Sequence, residues 1–247
     1  MPALFHALLL ALLPGAGIFV GALLAEVLPT TRVQLSLALH FAAGVVFGVI
    51  AVALAPRAFG DAPPWEAALA FLAGGLFYVG IDWATEKLTA RTAEKQRSRM
   101  AGAWVIFAAV AVDVFSDGLM VGTGSTISMS LALVLAVGQV TADIPEGFVT
   151  VANFRSRGMP RARRLLVSAS FLVPVLVGAF LSYTLLKGQT GPVRLLALAF
   201  VAGLLLVAAV EEIVGEAHDV ACDKRWTSMA ITAGFVLFAL VDSYFEG

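Results

Sequence analysis

The sequence predicts an all-α membrane protein, a bundle of eight transmembrane helices with both termini outside. Three observations support this fold class. The 247 residues are 60% hydrophobic and 13% charged, with a mean hydropathy of +0.93, which is more apolar surface than a soluble core of this size can bury. Eight apolar segments of about 21 residues match the thickness of the hydrocarbon layer. Finally, the Lys and Arg residues are distributed unevenly among the connections.

The apolar segments follow one another closely and make up a single membrane domain over residues 1–247. Each is expected to be a helix, because a segment in hydrocarbon must pair its own backbone N–H and C=O groups, and these segments lack the alternation of barrel strands. The first segment has no Lys or Arg before its apolar run and is too long for a signal peptide, so we expect it to be a span. The spans are predicted at about 3–25, 33–55, 66–86, 102–122, 131–153, 164–186, 193–215 and 227–245.

The basic residues predict the orientation of this bundle. Of the 16 Lys and Arg residues, only Arg57, Lys187 and Arg194 fall in connections on one side, and none is left within a span. The more basic side normally faces the cytoplasm, so both termini should face outward. The four tryptophans agree, because an indole ring favours the headgroup region and each one falls at a predicted span end: Trp65, Trp83, Trp104 and Trp226.

Composition excludes several classes of function. A formal charge of −1 offers no basic surface to nucleic acid, and the spans leave no room for a Rossmann or P-loop enzyme domain. The lone Cys222 excludes a disulfide scaffold. We therefore expect no enzymatic activity, no prosthetic group and no nucleic-acid partner, and a multi-pass protein surrounded by lipid in the plasma or inner membrane. The sequence leaves open whether the chain forms a homodimer.

Six acidic residues lie deep within the predicted spans. An ionised side chain at the centre of the bilayer costs at least about 2.5–3.5 kcal/mol, and no Lys or Arg lies in a span to pair with them. Either these acids are protonated, or a cation binds to them. They are Asp113 and Asp117 in the fourth span, Asp143 and Glu146 in the fifth, and Glu211 and Glu212 in the seventh.

The spacing of four of these acids favours a cation. Asp113 and Asp117 are four residues apart and Asp143 and Glu146 three, so each pair shares one face of its helix. A short connection over 122–130 makes the two helices antiparallel neighbours, which allows the four carboxylates to converge. Pro145 would free a backbone carbonyl in the same region. Carboxylate and carbonyl oxygens are ligands that divalent cations prefer.

The other polar residues have simpler explanations. Buried acids can also be protonated and join helices by hydrogen bonds. The acids at span ends are expected to reach water, and His40 is expected to be satisfied within the bundle. The run from Lys87 to Arg99 is predicted as an interfacial loop, and Gly44 and Gly48 as helix contacts. The acids at span ends are Glu26, Glu66, Asp82, Asp242 and Glu246.

Three motifs resemble those of the ZIP (Zrt/Irt-like) family of divalent metal-ion transporters. Residues 142–147, Ala-Asp-Ile-Pro-Glu-Gly, stand where the family has His-x-x-Pro-Glu-Gly in its fifth span. Residues 113–118, Asp-Val-Phe-Ser-Asp-Gly, loosely match the fourth-span pattern His-Asn-x-Pro-Glu-Gly. Residues 210–218, Val-Glu-Glu-Ile-Val-Gly-Glu-Ala-His, are close to the seventh-span stretch Val-Glu-Glu-Leu-Ile-Pro-Glu-Ala-His.

The resemblance implies a transporter that moves a divalent metal ion into the cytoplasm, with Zn, Fe, Mn, Co or Cd as substrate. It also implies eight spans with both termini outside. By position, Asp113, Asp117, Asp143 and Glu146 would line the metal site, and Glu211 or Glu212 would lie on the route inward.

The chain departs from the family at several of these positions. The motif histidines are replaced by Asp113 and Ala142, and the fourth-span Asn by Val114. Arg57 stands where the second span commonly has Glu, and Val173 where the sixth often has Glu before Pro. With the imidazole ligands gone, an all-oxygen site shifts preference from Zn towards Mn, Mg or Ca.

Two alternatives follow from the same residues. A family relative that has lost transport could act as a metal sensor or scaffold. An intramembrane aspartyl protease also uses two membrane-embedded aspartates, as acid and base, but it should carry a Gly-x-Gly-Asp motif, which residues 115–118 do not provide.

Overall fold

The computed structural model describes residues 2–60, 62–95, 99–214 and 224–246, and the regular secondary structure within these ranges is entirely helical. Eight helical stretches are long and apolar enough to cross a membrane, which confirms the predicted number and order of spans. The elements are α1 (Pro2–Val27), α2 (Arg32–Gly48), the π-helix π1 (Val49–Leu54), α3 (Ala55–Gly60), α4 (Pro64–Lys95), α5 (Arg99–Ile127), α6 (Met129–Ser156), α7 (Arg161–Ser170), α8 (Leu172–Leu186), α9 (Gly191–Ala208), the π-helix π2 (Ala209–Val214) and α10 (Lys224–Glu246).

The helices run further than the predicted spans. Instead of an interfacial loop from Lys87, α4 continues as helix to Lys95. The predicted connection over 122–130 is also helical apart from Ser128, which caps α6 by accepting a hydrogen bond from the Leu131 amide. A helix continues where its backbone bonds remain satisfied, whether or not its side chains suit hydrocarbon. Span prediction from hydropathy therefore places helix ends too early.

Two spans are interrupted near a proline. The second span widens into π1 before Pro56, where Ala55 N–H donates to the Ile50 carbonyl and Arg57 Nη1 donates to the Ala53 carbonyl at 2.5 Å. In the sixth span, α7 and α8 meet at Phe171, three residues before Pro174. Proline lacks the N–H that would continue the ladder, which accounts for the irregular turn preceding each one.

Glycines set the closest helix packing. The most extensive contacts join α1 with α6, α5 with α8, α2 with α10, and α4 with α9. In each pair a glycine faces the backbone of the partner helix, so that a Cβ there would collide with a main-chain atom. Gly44 has this role against Ile231, as expected from the sequence. Such contacts let two apolar helices approach closely. Other examples are Gly21 and Gly147 for α1 with α6, Gly118 and Gly178 for α5 with α8, and Gly74 and Gly203 for α4 with α9.

Helix α6 occupies the centre of the bundle. It contacts α1, α2, α5 and α10, and more than half of its 28 residues are buried. By contrast, many large apolar side chains on the outer helices are exposed, such as Leu72 and Leu76 on α4. The four tryptophans are exposed and lie near the ends of the candidate spans, although Trp83 is twelve residues from the end of α4.

Of the acids expected to reach water, Asp242 is buried and Glu26 is half-buried. Glu26 has only 5% of its side chain exposed and forms a two-point ion pair with Arg164, with Nε–Oε1 at 2.6 Å and Nη2–Oε2 at 2.7 Å. Arg164 lies inside α7, is itself buried, and also donates to the Met159 carbonyl. The prediction that no basic residue lies within a span is wrong, because the candidate spans include basic residues near their ends, Arg155, Arg164 and Arg194 among them. For Arg164 the ion pair with Glu26 neutralises the guanidinium. Asp242 on α10 is also buried, with 9% exposure.

Candidate metal centre

Antiparallel helices α5 and α6 bring three aspartates together in the interior. Asp113 and Asp117 lie on α5, and Asp143 lies on α6. One carboxylate oxygen from each residue lies within 4.8 Å of the other two. The residues are 5%, 0% and 0% exposed, so the cluster is enclosed by protein on every side. The spacing predicted that four carboxylates could converge, and the structure brings three of the four within this distance.

Glu146 completes the group from the Arg155 end of α6. It is buried, and its carboxyl group lies within hydrogen-bonding reach of Asp113 and close enough to Asp143 to interact with its charge. Because the helices are antiparallel, Asp113 pairs with Glu146, and Asp117 with Asp143 one turn away. The four carboxyl groups therefore form two tiers along the α5–α6 interface. The difference in depth between Asp117 and Glu146 that follows from the sequence is accommodated by this stagger.

No basic side chain from either helix compensates these acids. The chain has no Lys, Arg or His between Arg99 and Arg155. The charged groups that act on Asp113 and Asp143 are themselves acidic. Neither oxygen of Asp143 has a hydrogen-bond partner of standard geometry within the described residues. Several like charges cannot share such a site unless protons or a cation neutralise them.

Close packing from α1 covers the site. A Cβ at Gly17 would lie 2.9 Å from the Cβ of Asp143 and 3.2 Å from the Val140 carbonyl oxygen. A Cβ at Gly21, one turn further along α1, would collide with the Ile144 carbonyl. Only glycine allows α1 to approach the backbone of α6 this closely, which fixes the position of Asp143 and excludes water from that side.

Of the two seventh-span acids, Glu211 does not join the cluster. Glu211 is exposed on π2 and is not among the residues whose ligand atoms converge. The backbone of Glu212 also lies in π2, but its side chain is outside the described residues. Residues 215–218 of the motif over 210–218 lie outside the described residues as well. The placement of Glu211 and Glu212 on a route inward therefore stays a prediction.

One polar residue near the site, Gln139, was not among the site residues predicted from the sequence. Gln139 is 2% exposed and lies one helical turn before Asp143, with its amide group within hydrogen-bonding reach of that carboxylate. The i, i+4 spacing to Asp143 places both residues on one helix face, and this spacing is the one signal in the sequence that points to Gln139. A neutral amide carries no charge to be compensated, which is why a search for uncompensated acids passes over it.

The ligand atoms available are all oxygens. No imidazole or thiol lies among the described residues that converge here. His40 is buried elsewhere, where Nδ1 donates to the Ser36 carbonyl at 2.8 Å, which fits the expectation of a histidine satisfied within the bundle. An all-oxygen set with several carboxylates suits Mn²⁺, Mg²⁺ or Ca²⁺, and accepts Zn²⁺ or Fe²⁺ less well than a site with imidazole.

Comparison with models of known protein families finds no match for this chain, and a search of curated proteins finds none either.

Proposed function

We propose that this protein carries divalent metal ions across a membrane, into the cytoplasm, as a divergent relative of the ZIP family. The observation that carries the proposal is the convergence of three buried aspartates, within 4.8 Å, on two neighbouring helices of an eight-span bundle. Several carboxylates buried this closely together cost free energy unless positive charge or protons neutralise them, and a bound cation does so. The resemblance of residues 142–147 to the family motif supports the same conclusion.

The surface of the bundle supports a membrane location. Large apolar side chains are exposed along the spans, and the four tryptophans lie near their ends. Exposed apolar surface of this extent is stable in lipid but not in water. The uneven distribution of Lys and Arg favours the side that carries Arg155 and Arg164 as the cytoplasmic one.

The burial of the site determines how an ion would have to be transported. A cation arriving from the outer side exchanges its water ligands for the carboxylates of Asp117 and Asp143 and then for those of Asp113 and Glu146. Because the cluster is enclosed in this conformation, the bundle must open towards one side at a time to admit and release the ion. The carboxylates must be ionised to bind, so protons compete with the metal.

Uptake into proteoliposomes tests this function. Purified protein should transport at least one ion from a panel of Mn²⁺, Fe²⁺, Co²⁺, Zn²⁺, Cd²⁺, Mg²⁺ and Ca²⁺, with the hard ions favoured over Zn²⁺. We expect Asp117→Ala and Glu146→Ala to abolish uptake. Asp82→Ala is the matched control, because Asp82 is a partly exposed acid on α4 outside the cluster.

The outcomes separate the proposal from its alternatives. Undiminished uptake by Asp117→Ala and Glu146→Ala would refute the site assignment. Cation binding without flux through the folded wild-type protein would instead support a metal sensor or scaffold. Cleavage of a peptide in detergent, lost in the same variants, would indicate an aspartyl protease.

A further inference from the structure

Gln139 has a buried acceptor atom for which the described part of the chain supplies no hydrogen-bond donor. The residue is 2% exposed, and no hydrogen-bond donor within the described residues reaches its Oε1. A buried polar atom without a partner costs about 1–3 kcal/mol. Such atoms are rare in native proteins, and a bound ion or water molecule is a common explanation for those that occur.

The location of Gln139 identifies which partner fits. On α6 it precedes Asp143 by four residues, a rise of about 6 Å along the same face. Its amide group faces the Asp143 carboxylate, although no bond of standard geometry joins the two. Gln139 therefore adds a third tier to the interface, on the Ser128 side of the tier formed by Asp117 and Asp143. An ion entering from the predicted outer side meets it first.

The amide can present either end to the site. The terminal torsion of glutamine is broad and roughly two-fold, so a half-turn exchanges the NH₂ and the oxygen with little change in shape. The NH₂ end suits an ionised Asp143 while no cation is bound. Once Asp143 coordinates a cation, the oxygen end suits the same position, because a neutral carbonyl oxygen is a normal ligand for Mn²⁺, Mg²⁺ and Ca²⁺.

We propose, resting on the function above, that Gln139 is a further oxygen ligand of the transported cation, and that its amide turns over when the ion arrives. The assignment raises the number of side chains offering oxygen to five. It also adds a ligand without adding negative charge, which favours an ion that takes six or more oxygens and can leave again.

Cation binding by purified protein in detergent tests the role of Gln139. Mn²⁺ is the probe, titrated by calorimetry at neutral pH. We expect Gln139→Leu to lower Mn²⁺ affinity by about 10-fold or more, the range found when a group supporting a metal site is lost. The same variant should be at least as stable as wild type in chelator, because leucine removes the unsatisfied acceptor. Gln189→Leu is the matched control, since Gln189 is exposed in the connection between α8 and α9.

A second variant distinguishes a ligand from a packing residue. Gln139→Glu keeps the size of the side chain but must lose a proton to coordinate, so Mn²⁺ binding should release more protons than in wild type and should depend more steeply on pH. A residue that only fills space would leave proton release unchanged. This measurement also serves if Gln139→Leu does not fold.

The two proposals fail in different ways. Wild-type affinity in folded Gln139→Leu, or unchanged proton release in Gln139→Glu, would overturn the role of Gln139 and leave the transport function standing. A wild-type protein that binds no divalent cation would overturn the function and the inference together.

Discussion

Replacing Asp143 by asparagine should stabilise the cation-free protein. Asp143 is fully buried, its oxygens have no hydrogen-bond partner of standard geometry within the described residues, and its charged neighbours are acidic. Two unit charges no more than 4.8 Å apart repel by at least about 3.5 kcal/mol at an effective dielectric constant of about 20. Protons held by the cluster reduce this figure. We therefore expect Asp143→Asn to gain about 1–3 kcal/mol, which corresponds to about 2–4 °C in Tm per kcal/mol for a chain of this size.

Bound Mn²⁺ should reverse the order of stability of wild type and Asp143→Asn. Saturating Mn²⁺ stabilises whichever state binds it, by about 2.7 kcal/mol at 100 times Kd. Wild type should show this increase in Tm, whereas Asp143→Asn has lost a carboxylate ligand and should show little of it. The measurement is thermal unfolding in detergent, followed by tryptophan fluorescence, first with chelator and then over a Mn²⁺ series. Asp82→Asn is the control and should match wild type under both conditions.

Two results would refute this reasoning. Lower stability of Asp143→Asn in chelator would mean that the carboxylate serves as a structural hydrogen-bonding group rather than a cation ligand. A full Mn²⁺-dependent increase in Tm in the variant would mean that the cation binds elsewhere. Structural hydrogen bonding and cation binding predict opposite signs in chelator, so the experiment separates them.

Three further predictions concern pH, the ion pair and the glycine contacts. The Mn²⁺-induced rise in wild-type Tm should shrink as the pH is lowered from about 8 to about 5, because protons compete for the carboxylates; a constant rise would contradict carboxylate ligation. Glu26→Gln should lower the free energy of unfolding by about 2 kcal/mol, because it leaves the buried Arg164 without its charged partner. Adding Arg164→Met should recover most of that loss in the same unfolding assay. Equal stability of the single and double variants would show that the pair contributes little. Gly74→Ala should lower the free energy of unfolding by about 1–3 kcal/mol, because its Cβ would collide with the Phe200 carbonyl on α9. A Cβ at Gly80, on the same helix, meets nothing within 4 Å, so Gly80→Ala should not destabilise the protein. Similar losses of stability in both variants would refute the packing argument.

Hydropathy predicts the spans but not where the helices end. The number and order of spans follow from composition because each one must satisfy its own backbone. The helix ends do not, since α4 extends to Lys95 and only Ser128 separates α5 from α6. Nor does the sequence reveal π1, because the change from one helical hydrogen-bond pattern to another leaves no periodic signal over six residues.

The acidic part of the site follows from the sequence, and its other parts do not. Asp113, Asp117, Asp143 and Glu146 are detectable because charge in an apolar helix is rare and costly. Gln139 is neutral, so a search for buried charges does not find it. The close contact of Gly17 on α1 with α6 joins residues more than a hundred positions apart in the chain. The pairing of Glu26 with Arg164 is equally distant in the chain, so treating each residue alone gives the wrong environment for both.

The π-helical turn before Pro56 changes what a one-residue deletion would do. A π turn accommodates one more residue than an α-helical turn while the flanking segments keep their faces. Removing one residue within Val49–Leu54 would therefore restore ordinary helical geometry and leave the register of α2 and α3 intact. The same deletion between Gln139 and Asp143 would rotate the start of α6 by about 100° relative to its end and separate the two residues onto different faces. The second span can thus tolerate a change in length that the central helix cannot.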